Sequence, residues 1–447
     1  MTSPKSPHNR IEYHYLVYQF EVGDEMKRNG LFLKCTKRIY EIIESYGYLI
    51  NVRKEPKDFS RVGKMGFKNM ILFILNFSKK SLQAELNAFF KNIHETTDGV
   101  RKQAFSQGRQ KILPEAFIIL HEELIKTVYT ANDLNMYKGY RLSAIDGSTV
   151  ELQNTEELRN VFGYAENGKA EIARARISGL YDVENNIMID AIIDNYKASE
   201  RDLAMRHIEK LKEYGLQNDL ILLDRGYPSK KLIASLIDKD IKFVIRCPTN
   251  CFKEVNNVKG NDEKITFKVK GNGYSIRVVK FALDNGTEEV LVTNVFDKSF
   301  TLDDFKVLYF KRWGLEVKYD ELKQRLQLEN FDGVKEIAVM QDFYATIFLA
   351  NMAALAKMQS DEIIEKRNEE KELKHPYKTN VNIMVSELKD ELILIMMEKN
   401  EKRRKRRYDE LLREIARNVI PIRPERHNER NFKTSRDRYP MNARRGL

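Results

Sequence analysis

Through residues 30–130 apolar positions recur at intervals of three and four, the period of helices that bury one face. NMILFILNF, KKSLQAELNAFFKNI and VRKQAFSQGRQKILPEAFIILHEELIKTVY carry this period, with turns near Ser78 and Thr97 between them. Residues 1–135 therefore read as a helical N-terminal domain. At about residue 139 the texture changes. YRLSAIDGSTVEL reads as a strand running into an Asp-Gly turn. ARARISGLYDV and NIMIDAIIDNY, separated by ENN, read as an antiparallel hairpin, and SERDLAMRHIEKLKEYG as an amphipathic helix stopped at Gly215. LILLD and IKFVIRC are short apolar strands of the buried, parallel kind, with RGYPSKKLIASLIDKD between them as turn and helix. The order β-β-β-α-β-α-β predicts an α/β fold whose mixed sheet is flanked by helices.

From about Asn250 to Phe296, ITFKVKG, YSIRVVKFAL and EEVLVTNVF form a meander joined by NG and DNG turns. A helix from Thr301 to Leu328 and an apolar helix at Phe343–Ala356 follow, so the meander reads as an antiparallel β subdomain (about 250–298) inserted in a unit spanning 136–372. Residues 373–447 are charged, then helical through NIMVSELKDELILIMMEK, then basic, with Pro421, Pro424 and Pro440 arguing against a packed domain there. No internal repeat is visible.

Charge sharpens this picture. Of the net +11, the stretch from Lys402 to Leu447 carries +10, from 16 Lys or Arg against 6 Asp or Glu. Such a segment suits a polyanion. Three cysteines, Cys35, Cys247 and Cys251, give no disulfide framework, and C-x3-C without a nearby His is a poor zinc site. HEELI at His121 lacks the second His of a zinc-protease helix. MTSPKSPHNR has no signal-type apolar run, and the 14 residues Phe343–Ala356 are too few to span a bilayer. A reducing cytosol is expected.

The candidate chemistry lies in YFKRWGLEVKYDELK. Tyr309, Arg312, Glu316 and Lys323 fall at steps of three, four and seven, within about 60° of one helix face. A carboxylate flanked by a phenol, a guanidinium and an ammonium could set a metal-binding acid against a phosphodiester. A solvated edge with an Arg–Glu pair has the same sequence. Asp146 ends the first predicted strand and Asp224 ends LILLD, where α/β folds place ligands. Such acids converge only around a divalent cation, and oxygen-only ligands favour Mg2+ or Mn2+. Two ions about 4 Å apart would activate a water or a 3′-hydroxyl for phosphoryl transfer. Asp182, Asp190, Asp194 and Glu200 compete; Asp182 and Glu184 read as turn residues, and Asp190 and Asp194 as polar strand faces. In TTDGVRKQAFSQGRQKI, Arg101, Lys102, Gln103, Gln107 and Arg109 suit either a recognition helix or a solvated one.

On these residues the chain resembles the bacterial DDE transposases of the insertion-sequence-four group, which have a ribonuclease-H-like core. The group's Tyr-x2-Arg-x3-Glu-x6-Lys signature is matched by Tyr309, Arg312, Glu316 and Lys323, with its frequent RW pair at Arg312 and Trp313. Its D-G-[ST] context is matched at Asp146, Gly147 and Ser148, and its D-[RK]-G-[YF] context at Asp224, Arg225, Gly226 and Tyr227. The resemblance implies that Asp146, Asp224 and Glu316 are catalytic and hold two Mg2+ (or Mn2+) ions. It also implies that Tyr309, Arg312, Lys323 and Arg225 contact DNA phosphates, and that the N-terminal helices, with Arg101, Lys102 and Arg109, read terminal inverted repeats. The expected activity is cut-and-paste transposition by a homodimer in a synaptic complex, in a bacterial, nucleoid-associated setting, with the basic C-terminus adding DNA or dimer contacts. A nuclease without strand transfer and a catalytically silent DNA-binding relative are the alternatives. The group often flips a base onto a Trp of the β insertion. Here the single Trp, Trp313, lies on the catalytic helix and reads as a packing residue. Phe267, Tyr274 or Phe281 could substitute but read better as core.

Overall fold

The computed structural model describes residues 30–423 except 62, 77–80, 95–98, 131–133, 168–169, 249–250, 284–285 and 371–374. The turns expected near Ser78 and Thr97, and the basic stretch after residue 423 with Pro424 and Pro440, lie outside the described residues. The early helices are α1 (Leu31–Glu44), α2 (Tyr46–Val52), α3 (Phe67–Ile74), α4 (Leu82–His94), α5 (Lys102–Arg109) and α6 (Glu115–Tyr129). On α1 the three-and-four spacing buries Phe32, Cys35, Ile39 and Ile43. Ser45 starts α2 by accepting the Tyr48 N–H.

The α/β unit comprises β1 (Arg141–Glu151), α7 (Glu156–Phe162), β2 (Tyr164–Asn167), β3 (Ala170–Asp182), β4 (Ile187–Asn195), α8 (Glu200–Glu213), β5 (Asp219–Leu223), α9 (Lys230–Asp238) and β6 (Lys242–Cys247). β3 runs antiparallel to β1 and β4 antiparallel to β3, whereas β5 pairs parallel with β1 and β6 parallel with β5. The order β4-β3-β1-β5-β6, antiparallel on one side and parallel on the other, is the ribonuclease-H-like arrangement. The ENN turn between β3 and β4 uses Asn186 at a left-handed φ of 58°. α8 packs on β1, β3 and β4, and α9 on β6.

The meander forms α10 (Lys253–Asn256), β7 (Asp262–Val269), β8 (Asn272–Ala282) and β9 (Glu288–Thr293). It does not stand apart as a subdomain. β9 pairs antiparallel with β6, so the sheet continues as β5-β6-β9-β8-β7, nine strands among the described residues. Without β9, β6 would present an open row of backbone donors and acceptors. Pairing closes that edge and buries Val290, Leu291 and Val292.

The helix expected over 301–328 is broken. Thr301 and Asp304 form a capping box on α11 (Leu302–Lys311), then Arg312 and Trp313 form a tightened turn leading into α12 (Gly314–Asp320). There the Trp313 N–H bonds Phe310 O and the Leu315 N–H bonds Arg312 O, tighter steps than an α-helix makes. Gly314 packs where a side chain would press Val183, 3.3 Å away. A π-helical turn (Glu321–Arg325) ends the segment.

The apolar helix is part of α13 (Glu336–Glu370), with Phe343–Ala356 almost wholly buried. Its length and composition would suffice to cross a membrane, yet 72% of its apolar window is buried inside the protein. β10 (Tyr377–Thr379), α14 (Val381–Met397), α15 (Glu401–Arg417) and β11 (Val419–Pro421) complete the described chain. The basic stretch is thus packed at least to Arg417, against the proline argument. α15 buries Tyr408, Leu411, Leu412 and Ile415 on one face, and Tyr408 stacks on Phe32 of α1 at 4.4 Å. Pro421 is accommodated in the short strand β11, paired with Tyr377.

Candidate active site

Strand register brings the two aspartates together. Ile145 of β1 pairs with Leu223 of β5, so the next residues, Asp146 and Asp224, emerge side by side where β5 stops. Asp-Gly is not a turn here: β1 continues because Gly147 and Ser148 remain paired with Ser178 and Ile177 of β3. Asp224 leaves the sheet in a turn closed by Tyr227 N–H to Asp224 O at 3.1 Å.

Arg312, in the turn after α11, lies among these acids. Its Nη2 donates to Glu316 Oε1 at 2.8 Å, while Nη1 lies 3.8 Å from Asp146 Oδ2 and Nε 3.8 Å from Asp224 Oδ1. One guanidinium is therefore counter-ion to all three acids. Arg312 is 5% exposed, and its Nε and Nη1 find no hydrogen-bond partner among the described residues. Burial raises the Asp146 carboxyl to about 6, with Asp224 and Glu316 adding to the rise and Gly147 N–H and Arg312 opposing it. The acids meet Arg312 rather than one another: among the described residues no three His, Cys, Asp or Glu form a ready metal-holding group.

The rest of the stripe turns inward, which rules out a solvated edge. Tyr309 is 5% exposed, with its hydroxyl 3.5 Å from Glu289 and its ring edge-on to Phe281. Its expected contact with DNA phosphate is not supported, because the phenol is covered by β8 and β9. Lys323 Nζ donates to Ser148 Oγ and Thr149 O, both at 2.8 Å, and burial holds its ammonium below the ordinary value. Arg225 is closer to solvent, its side chain 43% exposed and bonded to Glu289 at 2.7 Å.

Glu289 and Arg246 carry no motif and escaped the sequence reading. Glu289, on β9, accepts from Arg225, from Arg246 Nε at 2.8 Å and from Arg246 Nη2 at 2.5 Å. Burial works to raise its carboxyl, but the two arginines hold it below the ordinary value. Glu200, one of the competing acids, sits against both acid motifs and pairs with Arg176. A Cβ at Gly147 would lie 3.1 Å, and one at Gly226 3.2 Å, from its carboxylate oxygens, so a larger residue at either place would need Glu200 to give way slightly. Arg201 ties the second loop by donating to Gly226 O and Pro228 O, each at 3.2 Å. Asp182, Asp190 and Asp194 are framework groups, bonded to Tyr129, His207 and Arg206.

Arg109 is a correction. It is 2% exposed, donating to Gln341 at 2.9 Å, Ala338 O at 3.2 Å and Asp342 at 2.7 Å, so it clamps α5 to α13 and faces no solvent. Arg101 and Lys102 are exposed at the start of α5, as are Gln103 and Gln107. Phe267, Tyr274 and Phe281 are core residues of the meander, whereas Trp313 is 41% exposed and not the packing residue expected.

Two aspartates at the ends of paired stretches on adjacent strands of a ribonuclease-H-like sheet thus lie beside a glutamate from a later helix, all three around Arg312. Residues 137–352 match the family described as Transposase DDE domain. The chain is also similar to the piggyBac transposase in a cryo-EM structure of its synaptic complex with hairpin DNA, at TM-score 0.45 and 11% identity over 86% of this chain and 84% of that one. No curated protein matches the sequence.

Proposed function

We propose that the protein is the transposase of a bacterial insertion sequence, cleaving DNA at the element's ends and joining the freed 3′-hydroxyl to target DNA. The observation that carries this is the convergence of Asp146, Asp224 and Glu316 on the one Arg312 guanidinium, within the stretch that matches the family described as Transposase DDE domain. The donor set is all oxygen and surrounds a spot that already holds positive charge, which suits Mg2+ or Mn2+. Asp146, Asp224 and Glu316 would hold the ions, which when bound supply activation of a water or 3′-hydroxyl and stabilisation of the leaving oxygen.

The remaining roles belong to the chain's own groups. Arg312 keeps three like charges together at the junction of sheet and helix. Arg225, half open beside Asp224, offers N–H donors to a phosphate, and Lys323 fixes Ser148 and Thr149 on β1 and supplies a point charge near them. Arg201 holds the loop after Asp224 in place from the start of α8. Arg101 and Lys102 would contact the terminal inverted repeats, and the basic face of α15 would add non-specific DNA contacts. A homodimer pairing two ends, working in the bacterial cytoplasm, completes the reading. The test is a duplex carrying the terminal sequence of the element that encodes the chain. Specific binding in EDTA and cleavage at the terminus in Mg2+ are expected; absence of both would overturn the proposal.

A further inference from the structure

We propose that Arg246 is a further phosphate-contacting residue of this site, and that the buried Glu289 carboxylate is the positioning residue that aims it. The inference rests on the DNA-cleaving reading above and extends its site to two residues outside every matched motif.

Glu289 lies on β9 with its side chain 1% exposed, and it holds two guanidiniums, Arg225 and Arg246. A framework ion pair needs one. The second is held at the edge of the active site, where it is shared with Asp224. Arg246 uses Nε and Nη2 on Glu289, and its Nη1 points the other way, 3.5 Å from Asp224 Oδ1. Its fork thus spans the buried carboxylate and the second catalytic aspartate.

The plane of that fork is also fixed. The Arg246 guanidinium carbon lies 5.0 Å from the centroid of the Tyr309 ring, which Phe281 braces edge-on at 6.0 Å. The Tyr309 hydroxyl in turn reaches Glu289. Tyr309, buried as it is, acts on DNA through Arg246: it is the platform under the guanidinium. A phosphate beside Asp224 would meet Nη1 of Arg246 on one side and the open edge of Arg225 on the other, a geometry an arginine fork satisfies and an ammonium does not.

The meander thereby gains a reason to join the main sheet. Arg246 on β6 pairs in register with Leu291 on β9, which sets Glu289 two residues away on the same strand. The strand that closes the β6 edge also delivers the carboxylate.

The experiment uses the full chain and the terminal duplex, with Arg246→Ala, Arg246→Lys, Glu289→Gln and the Arg246→Ala/Glu289→Gln double variant, each checked for thermal unfolding. Cleavage is measured at saturating protein, and binding by fluorescence anisotropy across salt concentration. Arg246→Ala should lower the cleavage rate at least about tenfold and reduce the salt slope of binding by about one. Arg246→Lys should restore the slope but not the rate. Glu289→Gln should match the rate loss of Arg246→Ala, and the double variant should be no worse than either, as for residues acting as a unit. A wild-type rate and slope in Arg246→Ala would overturn the inference. So would losses that add in the double variant, or that appear only as lowered unfolding temperature. If the wild-type chain binds but does not cleave, the transposase reading fails on its own, and the salt slope still decides the role of Arg246.

Discussion

Replacing Arg312 by methionine removes the charge shared by Asp146, Asp224 and Glu316 while keeping an apolar stem of similar length. At 3.8 Å and an effective dielectric near 20, each aspartate pair is worth about 4 kcal/mol gross. Burying the guanidinium returns several kcal/mol of this, and the exposed Glu316 pair adds only about 0–1 kcal/mol. The net loss on Arg312→Met should be about 1–3 kcal/mol in EDTA, because three carboxylates are left facing one another without a counter-ion. A divalent cation can take up that charge. Thermal unfolding in EDTA and in Mg2+ or Mn2+ should show the variant less stable than wild type without the ion. It should also show a larger gain on adding it; saturation at a hundred times Kd is worth about 2.7 kcal/mol. A variant with wild-type stability in EDTA and the same ion response as wild type would refute the idea that Arg312 and the ions serve the same three acids.

Other expectations follow from single contacts. Arg109→Ala should cost about 2–4 kcal/mol of stability in denaturant titration by stranding Gln341 and Asp342, whereas Arg101→Gln with Lys102→Gln should lower the salt slope of DNA binding at unchanged stability. Burial lowers the His121 imidazole to about 4 from 6.5, so unfolding takes up a proton between those values. Its contribution is complete above pH 6.5 and fades as pH falls toward 4, by at most about 3 kcal/mol. His121→Gln should flatten that part of the stability–pH curve relative to wild type, and an unchanged difference between the two proteins across this window would reject the assignment.

The elements were readable wherever the period was local. The change near residue 139, the order of the longer strands and both acid contexts needed only neighbouring residues, whereas the short α7 and β2 were missed. What failed depended on distant partners. Arg109 looked like a DNA contact because its cover, Gln341 and Asp342, comes from a helix more than 200 residues later. One signal was available: Arg109 follows the buried Phe105 by one helical turn and so shares its inward face. The meander looked separate because the open edge of β6 cannot be seen in a linear sequence. At Gly314 a side chain would come within 3.3 Å of Val183, a neighbour from the β3–β4 turn. Trp313, read as packing, is exposed. Glu289 and Arg246 gave no signal, since an acid opening one strand and an arginine in another are ordinary until register joins them.

The most direct test of the central claim is strand joining. The pre-cleaved terminal duplex, a supercoiled target plasmid and Mg2+ should yield a joined product with the wild-type chain. Asp146→Ala, Asp224→Ala and Glu316→Ala should each bind the duplex and join nothing. Full joining by any one of the three variants, or cleavage without joining by the wild type, would contradict the account.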